Sequence, residues 1–234
     1  MPTRVIPFVK LLVHLLCLSP AAFLVWWYRS GALAANADPV NYLTHFTGNW
    51  ALWILLASLA VTPLRRIHPT LSNLIRFRRM IGLYAFFYAT LHLATYVFLY
   101  SGYDLTATLS EVRSGHPGAI VTQWKAVWPS MLDDALKRRF IQVGLFSWVI
   151  LLALAVTSPL FMLRAMGGKN WQRVHRLVYF AAAAACIHFW WIVKSGVRTP
   201  LPDTLVLAFL LAIRVLWTFR KKRQIEGKRS PAAS

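Results

Sequence analysis

Residues 171–188 decide the fold of this chain, and they read Trp171-Gln-Arg-Val-His175-Arg-Leu-Val-Tyr-Phe-Ala-Ala-Ala-Ala-Ala-Cys-Ile-His188. After its first residues the stretch is apolar, which predicts a helix that lies within a membrane. Ionisable side chains are costly in lipid, so the two histidines are candidate functional residues. On a straight helix their separation corresponds to about 19.5 Å along the axis. Each histidine therefore needs a partner on another helix.

A second apolar stretch, Met80-Ile-Gly-Leu-Tyr-Ala-Phe-Phe-Tyr-Ala-Thr-Leu-His92, carries the histidine that is best placed to partner His188. Both stretches begin near basic residues, and both are predicted to run from the cytoplasm outward. His92 lies 14 residues beyond Arg78, and His188 lies 15 residues beyond Arg173. The two histidines are therefore predicted at nearly the same depth, in the outer half of the bilayer.

Alanine predominates on the helix faces next to both histidines. On a helix, the residues three, four and seven positions earlier share the face of a given side chain. For His188 and then for His92 these residues are Ala185, Ala184, Ala181 and Ala89, Tyr88, Ala85. Two histidines on facing membrane helices, with a gap for a planar group, are the usual protein contribution to a low-spin b-type haem. We therefore predict that His92 and His188 ligate haem iron, since close helix packing would explain the alanines but not the histidines.

His175 is predicted near the cytoplasmic rim, about 20 Å below His188. At that depth the third span offers Arg78 and Arg79 and no second histidine. Arginine binds haem propionates and flavin phosphates well, so Arg78, Arg79 and His175 are candidate cofactor-binding residues. Two interpretations stay open here. Either His175 is an iron ligand of a second, lower haem, or the two arginines serve only as topology charges.

The composition places the chain among polytopic membrane proteins. Of its 234 residues 58% are hydrophobic and 11 are tryptophan, and the mean hydropathy is +0.51, values well above those of an average soluble domain. The net charge of +19 comes from residues between and after apolar spans, where basic residues set topology, so a nucleic-acid partner is not indicated. The sequence has no glycine-rich nucleotide loop, so electrons from NAD(P)H are expected to arrive through another protein.

Six apolar spans are predicted. They cover residues 11–28, about 50–64, 80–100, 140–163, about 173–193 and about 201–219. Because the second span is short for a crossing, a start nearer Leu43 is the alternative. The predicted fold is therefore an all-α membrane protein, a six-transmembrane-helix bundle that holds haem between its third and fifth helices. Residues 1–219 form a single transmembrane haem-binding domain in this prediction. The charged tail, residues 220–234, is predicted to be disordered.

The basic residues assign an orientation to the spans. When alternate segments are counted from the N-terminus, one side carries 18 of the 26 basic residues and one acid, and the other carries eight basic residues and six acids. The positive-inside rule then puts both termini in the cytoplasm. The longest loop, residues 101–139, lies outside, with short helices predicted at 105–113 and 124–139. This loop is either a docking surface for a partner or an amphipathic cap on the bundle.

Two motifs give the chain a resemblance to a known family. They are Arg78-Arg79-Met-Ile-Gly-Leu-Tyr-Ala-Phe-Phe-Tyr-Ala-Thr-Leu-His92 and Asn170-Trp-Gln-Arg-Val-His175-Arg-Leu-Val-Tyr179, which is followed by His188. Over about residues 50–217 the chain resembles the ferric-reductase-like transmembrane domain, specifically its bacterial YedZ type. The resemblance implies b-type haem, an associated FMN and a position in the bacterial inner membrane. It also implies that electrons pass from a cytoplasmic flavin reductase or quinol to a periplasmic molybdopterin reductase that repairs methionine sulfoxide in proteins.

The sequence as a whole predicts an electron-transfer subunit of an oxidoreductase complex with no substrate chemistry of its own. Histidines at both axial positions of the iron favour electron transfer over oxygen binding. Two rival functions remain: a quinol-linked cytochrome b subunit that serves a different periplasmic partner, and a haem or metal transporter. Few polar residues besides the histidines are available to line a transport path, which argues against the second rival.

Overall fold

The computed structural model describes residues 5–67, 69–194 and 196–229, and within these residues every regular element is a helix. The prediction of an all-α protein is therefore confirmed. In chain order the helices are α1 (Val5–Arg29), α2 (Pro39–Ile67), α3 (Ile75–Thr95), α4 (Leu105–Arg113), α5 (Ala119–Lys137), α6 (Arg139–Val156), α7 (Leu160–Met166), α8 (Gly168–His175), α9 (Val178–Ile192) and α10 (Leu201–Arg229). A 3₁₀ turn, Pro69–Leu74, precedes α3, and a π turn, Tyr96–Tyr100, follows it.

Five of the described helices, α1, α2, α3, α6 and α10, are long and apolar enough to cross a membrane. The fifth predicted span is divided, because α8 ends at His175 and α9 begins at Val178. Between them the Leu177 N–H donates to the Val174 carbonyl at 2.9 Å, which is the i→i+3 bond of a tight 3₁₀ turn. α9 has 15 residues and spans only about 22 Å, less than a hydrocarbon core of about 30 Å. The count of six spans therefore stays a prediction.

The helix α2 begins earlier and ends later than the sequence predicted. It starts at Pro39, where the Asp38 carboxylate accepts a hydrogen bond from the Asn41 N–H at 2.9 Å. An aspartate cap followed by proline at the first helical position is a strong helix start. The span was predicted to end at residue 64, yet α2 continues to Ile67. The additional turns at the start add polar residues to this end of the bundle.

Further boundaries differ from the prediction. α5 covers Ala119–Lys137, where a helix was predicted at 124–139. α6 ends at Val156, before the predicted residue 163, because Pro159 cannot continue the hydrogen bonding of a helix. The disorder of the charged tail stays a prediction, although α10 continues past residue 219 and includes residues 220–229. This segment consists largely of good helix formers, and the extension of an existing helix requires no new nucleation. The remaining tail, residues 230–234, lies outside the described residues.

The core lies where α2, α3, α6 and α9 meet. Three alanines, Ala85, Ala181 and Ala182, are fully buried, and small residues of this kind let the backbones of membrane helices approach closely. Larger apolar side chains fill the rest of the core: Leu52, Leu55, Leu59, Ile150, Leu151, Leu154, Leu207 and Leu210. By contrast α1 exposes many of its large apolar side chains, as a helix that faces lipid does.

Tyr88 attaches α1 to the core through the backbone of a helix that contains proline. Pro20 lies inside α1, where it removes a backbone donor. The Tyr88 hydroxyl donates to the Cys17 carbonyl at 2.8 Å and accepts from the Ala21 N–H at 3.0 Å. In an uninterrupted helix these two backbone groups would bond each other directly. Because the Tyr88 side chain is fully buried, α1 depends on this hydroxyl for a specific position against α3.

We expect Tyr88→Phe to destabilise the folded protein by about 2–4 kcal/mol, because two buried backbone groups lose their partner at about 1–3 kcal/mol each. The thermal unfolding midpoint in detergent measures this loss. The matched control is Tyr84→Phe on the same helix, which removes a single hydrogen bond, between the Tyr84 hydroxyl and Nδ1 of His14 at 2.7 Å. Equal midpoints for the two variants would contradict the role assigned to Tyr88.

Candidate functional site

The structure brings His92 on α3 and His188 on α9 opposite one another. Their ring centroids lie 5.9 Å apart, and the ring planes are nearly perpendicular at 80°. Both side chains lie in a cavity of about 290 Å³ between α2, α3, α6 and α9. The two residues are 96 positions apart in the chain, so only the packing of the bundle brings them together.

The two imidazole rings are oriented by the same kind of hydrogen bond. Nδ1 of His92 lies 2.9 Å from the Thr44 carbonyl oxygen, and Nδ1 of His188 lies 2.7 Å from the Phe140 carbonyl oxygen. Because a carbonyl oxygen can only accept, each Nδ1 carries the proton and donates. Each Nε2 is then the unprotonated nitrogen, with a lone pair that a metal ion can use.

The geometry of this pair fits one metal ion with two axial imidazoles. Metal–imidazole bonds of about 2.0 Å on opposite sides of one ion hold the ring centroids about 6 Å apart. The observed separation of 5.9 Å agrees with this value. Among the described residues no group of three or more metal-ligating side chains is found. A site with two protein ligands suits haem, whose porphyrin supplies the other four nitrogens.

The lining of this cavity changes from apolar to polar along its length. Near the centre of the bundle it consists of leucine, alanine and aromatic side chains, including Leu55, Ala89, Ala185 and Phe189. At the end that adjoins α5 it includes the polar side chains Asn41, His45, Tyr100 and Arg138. A planar cofactor with an apolar body and a charged edge matches this division.

Sequence reasoning missed two glycines that pack against the histidine rings. A Cβ atom on Gly48 would lie 3.1 Å from Cε1 and Nδ1 of His92. A Cβ atom on Gly144 would lie only 2.8 Å from the same atoms of His188. A regular spacing was the available signal, because each glycine precedes its histidine by 44 residues.

His175, Arg78 and Arg79 do not lie beside this pair but line a second cavity, of about 520 Å³, towards the other end of the bundle. Arg65 and Arg176 also line it, and its described lining contains no acidic side chain. Nε of Arg65 is buried and has no hydrogen-bond partner among the described residues. The second cavity therefore suits an anionic ligand that carries a phosphate or a carboxylate.

His175 is held differently from the other two histidines. Its ring stacks on Trp171, with the ring centroids 3.8 Å apart and the planes at 24°. Nε2 of His175 lies 3.3 Å from the Thr157 hydroxyl, and the Trp171 indole N–H donates to the Thr157 carbonyl at 2.8 Å. A flat ring stack at the edge of a basic cavity is an arrangement that can receive a planar, anionic molecule.

The two cavities are stacked along the bundle. Leu55 on α2 and Leu151 on α6 line both of them, so this pair of leucine side chains lies at the boundary between the cavities. A ligand in the second cavity and a metal ion between His92 and His188 would therefore be separated by little more than side-chain packing.

The chain matches the family model described as ferric reductase like transmembrane component over residues 47–186. A protein of Xanthomonas axonopodis pv. citri, named protein-methionine-sulfoxide reductase heme-binding subunit MsrQ, is 42% identical over 225 residues, which cover 94% of this chain and 91% of that protein. A protein of the same name from Herminiimonas arsenicoxydans is 36% identical over 216 residues, 92% of this chain and 87% of that protein. No solved structure matches the chain.

Proposed function

Because the chain belongs to the ferric reductase-like transmembrane family, and within it to the group of MsrQ haem-binding subunits, we propose that it is a b-type cytochrome that carries electrons through the membrane for a methionine sulfoxide reductase. The observation that carries this proposal is the His92–His188 pair, in which both Nδ1 atoms donate to backbone carbonyls and each unprotonated Nε2 is left to bind a metal. The pair is the expected set of axial ligands for haem b.

The chain's own residues account for the requirements of such a site. Haem b, when bound, supplies a one-electron Fe(III)/Fe(II) couple. His92 and His188 would hold the haem between them, and iron with two histidine ligands would favour electron transfer over oxygen binding. The carbonyls of Thr44 and Phe140 raise the basicity of the rings through their hydrogen bonds. The apolar lining keeps water away, and the polar end with Arg138 is suited to the propionates.

We propose that a cofactor bound in the second cavity accepts electrons from the donor. Arg78 and Arg79, with His175 stacked on Trp171, form a site suited to the phosphate and ring of FMN, or to the propionates of a second, lower haem. The basic residues at this end of the bundle support a cytoplasmic orientation for it. A cytoplasmic flavin reductase or quinol would then be the electron donor.

The proposed direction of electron transfer is outward. The polar end of the His92–His188 cavity includes Tyr100 and Arg138, which lie at the two ends of the long loop, and the charge distribution puts this loop on the periplasmic side. We propose a periplasmic molybdopterin reductase, which repairs methionine sulfoxide in proteins, as the acceptor. The chain would accordingly reside in the bacterial inner membrane, with both termini in the cytoplasm and six crossings that include α9.

The purified protein tests this proposal. We expect its absorption spectrum to show a low-spin b-type haem whose bands sharpen when dithionite reduces it. NADH or NADPH alone is expected to leave the haem oxidised, because the chain has no nucleotide-binding loop. Addition of a flavin reductase with FMN and NADPH is expected to reduce it. A protein without haem, or stoichiometric haem reduction by NADPH alone, would contradict the proposal.

A further inference from the structure

We infer that Gly48 and Gly144 are positioning residues that seat the two histidine rings in the site. This inference rests on the proposed function, because it assigns the glycines a role in haem ligation. Both glycines lie within helices, in α2 and α6. Neither is among the glycines with positive φ, which are Gly31, Gly102, Gly115, Gly167 and Gly196. Conformational freedom therefore does not explain why glycine occupies these two positions.

Space explains it. A Cβ atom on Gly144 would lie 2.8 Å from two ring atoms of His188, a distance at which either the ring or the helix has to move. On Gly48 the corresponding distance to His92 is 3.1 Å, so the ring would have to yield by a few tenths of an ångström. Each ring thus packs directly on the backbone of a neighbouring helix, closer than any other residue type would allow.

The hydrogen bond and the glycine act on each ring together. The carbonyl that accepts from His92 belongs to Thr44, and the carbonyl that accepts from His188 belongs to Phe140. Each carbonyl comes four residues before the glycine, about one helical turn away on the same face. The carbonyl sets the direction in which Nδ1 points. The glycine sets how close the ring lies to the backbone of the neighbouring helix and how far the ring can rotate.

The same arrangement of glycine, carbonyl and histidine occurs twice, at equal spacing in the two halves of the site. At an offset of 96 residues Gly48 corresponds to Gly144 and His92 to His188. The sequence Ile-Leu-Leu-Ala recurs at 54–57 and 150–153, Pro-Leu recurs at 63–64 and 159–160, and alanine recurs at 85 and 181 and at 89 and 185. The helix pairs α2–α3 and α6–α9 therefore present the same glycine, carbonyl and histidine from opposite sides.

The angle between the two imidazole planes would affect the electronic state of a bound haem iron. The imidazole planes stand at 80° to one another. Nearly perpendicular axial imidazoles leave two of the iron d orbitals close in energy, which produces a low-spin electron paramagnetic resonance signal with an unusually large highest g value. An added methyl group at either glycine would tilt or rotate one ring. The highest g value would then fall, and the reduction potential would shift with it.

Gly144→Ala and Gly48→Ala test the inference, with Gly168→Ala as the matched control. Gly168 is also a helical glycine, in α8, but it lines neither cavity, and a Cβ atom there would meet nothing within 4 Å. We expect Gly144→Ala to weaken haem affinity by about tenfold or more, as disturbance of the support around a metal ligand does. Gly48→Ala is expected to retain haem with a lower highest g value and a shifted potential. Gly168→Ala should match the unsubstituted protein.

Alanine is the better helix former, so a purely structural role at these positions predicts equal or higher stability with unchanged spectra. Unchanged g values and potentials in both Gly48→Ala and Gly144→Ala would overturn the inference, and so would an equal change in Gly168→Ala. If Gly144→Ala fails to fold, the spectrum of Gly48→Ala decides. Retention of haem in His92→Ala would instead overturn the proposed function, so the two failures are distinguishable.

Discussion

Replacement of His92 or His188 by alanine is expected to abolish the low-spin haem spectrum while the protein still inserts into the membrane. Each variant removes one of the two nitrogens proposed to ligate the iron, and the further histidine of the His92–His188 cavity, His45, lies at its polar end. The remaining ligand alone cannot keep the iron low-spin. Insertion should persist, because it depends on the apolar spans and their flanking charges. The measurement is the oxidised and dithionite-reduced spectrum of each purified variant.

The matched control for this experiment is His14→Ala. His14 is also a histidine of a membrane-crossing helix, and its Nδ1 bonds the Tyr84 hydroxyl at 2.7 Å, but it lines neither of the two cavities described above. The spectrum of His14→Ala should be unchanged. Loss of haem in His175→Ala together with its retention in His188→Ala would show that His92 pairs with His175 instead.

The second large effect is expected at the basic cavity. We expect the double variant Arg78→Gln, Arg79→Gln to slow haem reduction by a flavin reductase about 100-fold or more, because two charge-assisted hydrogen bonds to an anionic cofactor are worth about 1.5–3 kcal/mol each. Dithionite should still reduce the haem between His92 and His188 in this variant. His175→Ala is likewise expected to slow haem reduction by the flavin reductase but not by dithionite, since its ring lines the basic cavity.

Arg76→Gln is the matched control, because Arg76 lies on the same helix and carries the same charge but does not line the basic cavity. Stopped-flow measurement of haem reduction compares the variants, and the FMN content of each purified protein reports cofactor loss directly. Equal rates in the double variant and in Arg76→Gln would show that Arg78 and Arg79 act only as topology charges.

Sequence reasoning paired His92 with His188 through one quantity, the depth at which each lies in its span. Depth is local information, because it depends on the number of residues between a histidine and the basic end of its own helix. The glycine seats were beyond this reasoning, since each depends on the distance between atoms 44 residues apart in the chain. The same applies to Tyr88, whose hydroxyl completes the backbone of α1 at Cys17, 71 residues away.

Some helix ends could likewise be predicted from the local sequence, and others could not. The loop helix Leu105–Arg113 has the bounds that the sequence predicted, because its start is marked locally by Asp104, whose side chain accepts from the Ala107 N–H at 2.8 Å. The turn between α8 and α9 was not predicted, because residues 173–193 contain no proline or glycine to signal it.

The sequence by itself determined that the chain is an all-helical membrane protein with a strong charge asymmetry, and it singled out His92, His188, His175, Arg78 and Arg79 as residues of interest. Hydropathy and charge determine these features, and both act segment by segment. Only the tertiary structure decided that the first two histidines meet at 5.9 Å, that His175 and the arginines line a separate basic cavity, and that glycine backbones seat the rings. These features depend on how close α2, α3, α6 and α9 approach one another, which the packing of their small residues sets.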